Sequence, residues 1–116
     1  MIKYLSNKKD IMMIRGDTVV INIVSEQLAN DLTAAYFSCK KKKSDESYIF
    51  QKTLNNGIEK VTVDTGRKYS ITISPSDTSG ITEDGDYYYD IQLELGNYKR
   101  TPYFGTLSIV NDITKD

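Results

Sequence analysis

From Asp86 to Leu95 the side chains alternate: Tyr87, Tyr89, Ile91, Leu93 and Leu95 fall on one side, and Tyr88, Asp90, Gln92 and Glu94 on the other. A period of two is the signature of a β-strand with one buried face. Each inward side chain gains about 1.5 to 3 kcal/mol of transfer free energy on full burial, so five in a row predict the central strand of a sheet. Weaker versions of the pattern recur along the chain. They predict strands at Ile11 to Arg15, at Thr18 to Val24 with Val19, Ile21 and Ile23 on one face, and at Ala35 to Lys40 with Phe37 and Cys39 inward. Further strands are predicted at Tyr48 to Leu54 with Ile49 or Phe50 inward, near Val61 and Val63, at Tyr69 to Ile73, and at Tyr103 to Val110 with Leu107 and Ile109 in the core. The first two are expected to form one edge region. Gly16-Asp17, Asn55-Asn56-Gly57, Asp84-Gly85 and Gly96-Asn97 supply turns.

No stretch longer than about ten residues holds a helical period. The exception in kind is a single turn, where Ser74 is placed to cap, Pro75 to take the first helical position and Asp77 to meet the free amides, with Gly80 ending it. About seven short strands, each half-buried, cannot stand as one open sheet in water. The class is therefore all-β, with two sheets packed face to face in a sandwich or partly closed barrel. A chain of 116 residues supports one core, so residues 1–116 are expected to form one domain, with 1–10 and 114–116 as loose ends.

Charge narrows the function. Fifteen basic against sixteen acidic residues leave a net charge of −1, which implies no nucleic-acid or anionic-membrane partner, and no apolar run approaches a membrane span. Histidine is absent, which removes the commonest general base and zinc ligand, and the lone Cys39 fits core packing better than chemistry. No catalytic, metal or cofactor residues are expected. Arg15-Gly16-Asp17 spells an integrin-binding tripeptide, but Gly16 is better explained as a turn residue of positive φ. Glu83-Asp84-Gly85-Asp86 lacks the further oxygens a calcium site needs and is read as a polar turn. Lys40 to Lys43, with Lys8 and Lys9, are read as a solvated edge beside Asp10, Asp45 and Glu46. The remaining candidates for contact are the outward or loop tyrosines Tyr36, Tyr88, Tyr98 and Tyr103, with Asp90 and Gln92 beside them, since tyrosine gains interface area at low entropic cost.

Gly85-Asp86-Tyr87-Tyr88-Tyr89 resembles the start of strand F in immunoglobulin folds. The resemblance implies an immunoglobulin-like β-sandwich of about seven antiparallel strands. Tyr87 would dock its hydroxyl on the upstream turn, and Tyr89 would stand where antibody domains carry a disulfide cysteine, with Phe37 or Cys39 on the partner strand. Gly16, Gly85, Ile91 and Leu93 are structural in the same scheme. A broader pattern joins Ile14-Arg15-Gly16-Asp17-Thr18, Ser74-Pro75-Ser76-Asp77-Thr78, Tyr87 to Leu93, Gly105-Thr106-Leu107 and Asp112-Ile113-Thr114. It resembles small structural proteins of tailed bacteriophages and prophages. That resemblance implies a noncatalytic tail, baseplate or neck component whose partners are other virion proteins or copies of itself, held in the host cytoplasm before assembly and in the virion afterwards. The alternative is a recognition module that binds a host glycan or protein through loops at one end of the sandwich. Tyrosines on loop tips would favour recognition; tyrosines along one sheet face would favour assembly.

Overall fold

The computed structural model describes residues 7–25, 31–61, 67–81 and 84–111. The elements in chain order are β1 (Asn7–Lys8), β2 (Ile11–Ile14), β3 (Val19–Ser25), β4 (Ala34–Lys40), β5 (Phe50–Leu54), β6 (Gly57–Val61), β7 (Arg67–Ile73), α1 (Pro75–Thr78), β8 (Gly85–Leu95) and β9 (Tyr98–Val110). As the alternation predicts, β8 is central, bonded antiparallel to β4 on one side and β9 on the other. Tyr87, Tyr89 and Ile91 point inward and are buried. The inward face is shorter than five positions, however. The register against β9 shifts between Ile91 and Leu93. An irregularity of that kind turns the strand locally. Leu93 then only packs against the core's margin, and Leu95 is half-buried outside it.

Two layers result. One is β1 and β2 end to end along β9, then β8, β4 and β5; the other is β6, β7 and β3. They are joined at a corner where β5 meets β6 through just two residue pairs, Thr53 with Gly57 and Leu54 with Ile58. Asn55 at φ 69° and Gly57 at φ 101° make that corner, and a side chain on Gly57 would come within 2.5 Å of Lys52 Cδ. Between the layers lie Phe37 and Cys39 of β4 and Leu107 and Ile109 of β9, facing Ile58 of β6 and Tyr69, Ile71 and Ile73 of β7. The Tyr69 hydroxyl accepts a buried hydrogen bond from Leu32 N–H at 3.0 Å, tying β7 to the segment entering β4.

The expectation that Ile11 to Arg15 and Thr18 to Val24 share one edge region as a pair is corrected. β2 runs parallel to β9, whereas β3 runs antiparallel to β7, so the turn between them crosses from one sheet to the other. That crossing is anchored on α1. Gly16, at φ 87°, donates its N–H to the fully buried Thr78 Oγ1 at 2.9 Å, and the Arg15 guanidinium donates to Ile81 O at 2.8 Å. The Arg-Gly-Asp sequence is thus a structural turn. α1 itself begins as its residues predict: Ser74 N–H donates to Asp77 Oδ2 at 2.7 Å, and Asp77 also pairs with Lys52 of β5 at 2.6 Å with both side chains largely covered.

Residues 7–10, expected among the loose ends, are held in the sheet. Asn7 and Lys8 pair with Tyr103 and Phe104, and Lys9 N–H donates to Phe104 O at 2.9 Å. The last strand accordingly starts at Tyr98, earlier than Tyr103, because its first half supports the hairpin with β8 and these extra pairings. Residues 1–6 and 112–116, and with them the expected looseness of 114–116, lie outside the described residues, as does Val63.

Candidate functional site

Between β1 and β2 the parallel ladder on β9 is interrupted at Lys9 and Asp10, opposite Gly105 and Thr106. Two side chains repair the gap. Asp10 Oδ1 accepts the Thr106 N–H at 3.0 Å, in place of a backbone carbonyl, and the Tyr89 hydroxyl reaches across to donate to Lys9 O at 2.5 Å. The bond from Thr106 holds the Asp10 carboxyl below its ordinary value, while burial and then the nearby Asp10 charge push the Tyr89 phenol up. This knot fixes the margin of the sheet that carries the candidate site.

The outward residues of that sheet line a shallow trough of about 810 Å³. Its floor follows from register. Tyr36 lies opposite Gln92, Ser38 opposite Asp90 and Lys40 opposite Tyr88, while Asp90 and Tyr88 in turn face Phe104 and Thr106 of β9. One row therefore runs Gln51, Ser38, Asp90, Phe104, Lys8 across five strands, stiffened by Gln51 Nε2 donating to Ser38 Oγ at 2.9 Å. At one end the Lys40 ammonium sits 5.2 Å from the Tyr48 ring centre and the Lys43 ammonium 5.3 Å from that of Tyr88. Such contacts hold a cation over a ring face and contribute about 0.5 to 1 kcal/mol at exposed sites. Asp90 is exposed as a residue, yet the trough walls desolvate its carboxyl and push it above the ordinary carboxylate value, with Lys40 pulling the other way.

Four sequence-predicted contact residues, Tyr36, Tyr88, Asp90 and Gln92, are brought together here. The other two are not. Tyr103 lies opposite Ile91 and packs against the core, with the Lys9 ammonium 5.8 Å from its ring centre, because its place in β9 is on the inward side. Tyr98 is exposed at the tip of the β8–β9 hairpin, opposite Leu95, away from the trough. Lys8 and Lys43 are exposed, Lys8 on the edge strand β1, and with Lys40 they also line the trough, because the alternation of β4 puts Lys40 on the same face as Tyr36 and the loop after β4 folds Lys43 onto Tyr88. Tyr48 and Phe104 were missed altogether. The period of two places Phe104 on the outer face with Thr106, a signal present in the sequence; nothing local shows the position of Tyr48.

Cys39 and Phe37 also need correction as partners of Tyr89 across a sandwich. Strand β4 is hydrogen-bonded to β8 in the same sheet, with Cys39 directly opposite Tyr89, whereas the bridge of antibody domains spans the two sheets. Phe37 stacks on Tyr89 at 5.3 Å and on Phe50 at 5.9 Å between ring centres, an aromatic packing within one sheet. Cys39 is fully buried and its thiol is pushed up to about 12 by burial, which leaves no thiolate for chemistry. Tyr87 is buried. Of the acidic turn, Glu83 is outside the described residues, and Asp86 is engaged by the Ser108 hydroxyl; among the described residues no three potential ligands are clustered for a metal ion. Among them, too, no helix is long and apolar enough to cross a membrane.

The two aspartates give opposite pH signatures. Asp10 has a lowered value in the fold, so its contribution is present above the unfolded carboxylate value and is lost as pH falls below about 4. Asp90 has a raised value, so the fold is favoured while it is protonated and that advantage is lost as pH rises through its folded value. Thermal melts from pH 7 to pH 2.5 are expected to show Asp10→Asn converging on the parent as pH falls. Asp90→Asn is expected to gain on the parent as pH rises. Parallel curves for both variants would contradict the assignment.

No family model matches the chain, and no curated protein matches it. Solved structures do. The immunoglobulin-like domain of mouse leukocyte-associated immunoglobulin-like receptor 1, a strand-swapped dimer, is similar over 87% of this chain and 88% of that one, with a TM-score of 0.51 and 13% identity. The extracellular domain of the voltage-gated sodium channel β4 subunit is similar over 97% and 99%, with a TM-score of 0.44 and 11% identity. The first of these shows an immunoglobulin-like β-sandwich, as Gly85 to Tyr89 and the strand count predict, and at such identity it shows the fold alone.

Proposed function

We propose that this immunoglobulin-like sandwich is a noncatalytic structural or adaptor protein of a tailed bacteriophage or prophage particle, in its tail, baseplate or neck, and that it docks through the trough on β4, β8 and β9. The observation that carries the docking surface is the gathering of Tyr36, Tyr88 and Tyr48 with Gln92 on one sheet face. Aromatic rings edged by lysines and by Asp90 and Glu94 suit a protein partner, since rigid rings supply area and the charged margin supplies register. The phage setting rests on the sequence resemblance, and the partner class follows from it: other virion proteins, met after synthesis in the host cytoplasm. Placement on a sheet face favours assembly over the recognition alternative, for which the exposed hairpin-tip Tyr98 is the supporting observation.

The test has two parts. Mass spectrometry of intact particles from the source phage should detect this chain at structural copy number. Tyr88→Ala combined with Tyr36→Ala should remove it from purified particles while leaving its melting temperature within a few degrees, because both side chains lie outside the core. Particles that never contain the chain would end the structural proposal. Retention of the double variant at parental level would move the docking site off this face.

A further inference from the structure

At the far side of the sandwich from the β5–β6 corner, both sheets end, among the described residues, in open edges, β2 in one and β3 in the other. A cleft of about 220 Å³ at the turn that joins β2 to β3 is lined by Met12 and Val19. Among the described residues β3 pairs with β7 alone, so half of its backbone N–H and C=O groups face outward. Edge strands are ordinarily blunted by charge, proline, a bulge or short length. β3 has none of these: it is seven residues of Val-Val-Ile-Asn-Ile-Val-Ser in unbroken register. The two most exposed large apolar side chains of the described residues, Met12 at 76% and Val20 at 54%, lie on these same two edges. An uncharged strand rich in β-branched residues, left bare, is an aggregation hazard.

The sequence of the strand says what covers it. Val20-Ile21-Asn22-Ile23-Val24 reads the same in both directions. We infer that β3 pairs antiparallel with β3 of a second copy of this chain about a two-fold axis through Asn22, joining two three-stranded layers into one continuous sheet. In that register Asn22 lies opposite its own copy, Ile21 opposite the partner's Ile23, and Val20 opposite the partner's Val24. The palindrome makes every pair like with like, and a two-fold contact is closed: once formed, it leaves no free β3 edge to recruit a third copy. Strand addition of this kind takes its affinity from main-chain bonds, which explains why the edge carries no charge. The surface is distinct from the trough, so the inference stands or falls apart from the docking face proposed above.

Cysteine cross-linking of the full chain tests the axis directly. Opposed residues of an antiparallel pair have Cα atoms about 4.5 to 5.5 Å apart, within disulfide range. Asn22→Cys should therefore oxidise to a covalent dimer. Val20→Cys should not, because its own copy would be four residues away along the strand, about 13 Å. The native Cys39 is buried and does not compete. Sedimentation analysis of the unmodified chain should show a monomer–dimer equilibrium, and Asn22→Lys, which sets two ammonium groups face to face on an exposed position, should weaken it by roughly tenfold or more with the melting curve of the monomer retained. A chain that stays monomeric at all concentrations, or in which Val20→Cys cross-links as readily as Asn22→Cys, would overturn the inference and leave the edge to a strand of another protein.

Discussion

Gly105→Ala is expected to lower stability by about 2 to 4 kcal/mol, the range for forcing extra volume into a packed site and breaking its hydrogen bonds. A Cβ at this position would stand 2.2 Å from Lys9 O, 2.8 Å from Lys9 C and 2.9 Å from Asp10 Oδ1. Two of these are backbone atoms of the link between β1 and β2, so no rotamer change relieves the clash. The link must move off β9, and in moving it surrenders the Tyr89 hydroxyl's bond to Lys9 O and the Thr106 N–H bond to Asp10. Gly96→Ala is the control. Gly96 has φ 63° with open space around it, so an alanine there meets only the torsional cost of the left-handed region, about 1 to 2 kcal/mol. Urea denaturation of both variants separates the two causes, and equal midpoints would show that Lys9 is not wedged over Gly105. The loss should come with weaker protection of the β1 and β2 amides in hydrogen exchange, since those strands depend on the knot.

The reason Gly105 was silent in the sequence is general to this chain. Period-two alternation is local, and it correctly marked the inward sides of β4, β7, β8 and β9, including Phe37, Ile71, Tyr89 and Leu107. The turn at Ser74 to Asp77 was equally legible, because a cap, a proline and an acid act within four residues. What alternation cannot carry is which strand lies beside which. β2 and β3 read as neighbours since a glycine turn joins them, yet Thr78 and Ile81, more than sixty residues away, draw that turn across the sandwich. The trough shows the same limit. Tyr36, Tyr88, Asp90 and Gln92 were legible as outward residues one strand at a time, whereas Lys43 over Tyr88 and Phe104 beside Asp90 depend on register between strands. Tyr103 was misplaced for a related reason: an aromatic near the start of an expected strand looks free until the hairpin before it is known.

Phe37→Ala should be the most damaging single change in the core, costing about 3 to 5 kcal/mol. Phe37 is fully buried at the centre of β4, and its ring is held between Tyr89 at 5.3 Å and Phe50 at 5.9 Å, each nearly parallel to it. Truncation removes the ring's transfer free energy and leaves a cavity flanked by two aromatic faces that strand pairing prevents from collapsing, because Tyr89 and Phe50 are fixed in register on either side of Cys39. The effect should also spread to the sheet margin. Tyr89 spans from this stack to Lys9 O, so loosening its ring loosens the bond that holds the β1–β2 link. A double-mutant cycle of Phe37→Ala with Tyr89→Phe measures that coupling: an interaction energy of about 0.5 kcal/mol or more is expected for residues in contact that share a partner. Strict additivity would mean that the stack and the Lys9 bond are independent. The stack packs within one sheet and Cys39 is the chain's lone cysteine, so stability should be indifferent to reducing agents and acutely sensitive to the size of residue 37.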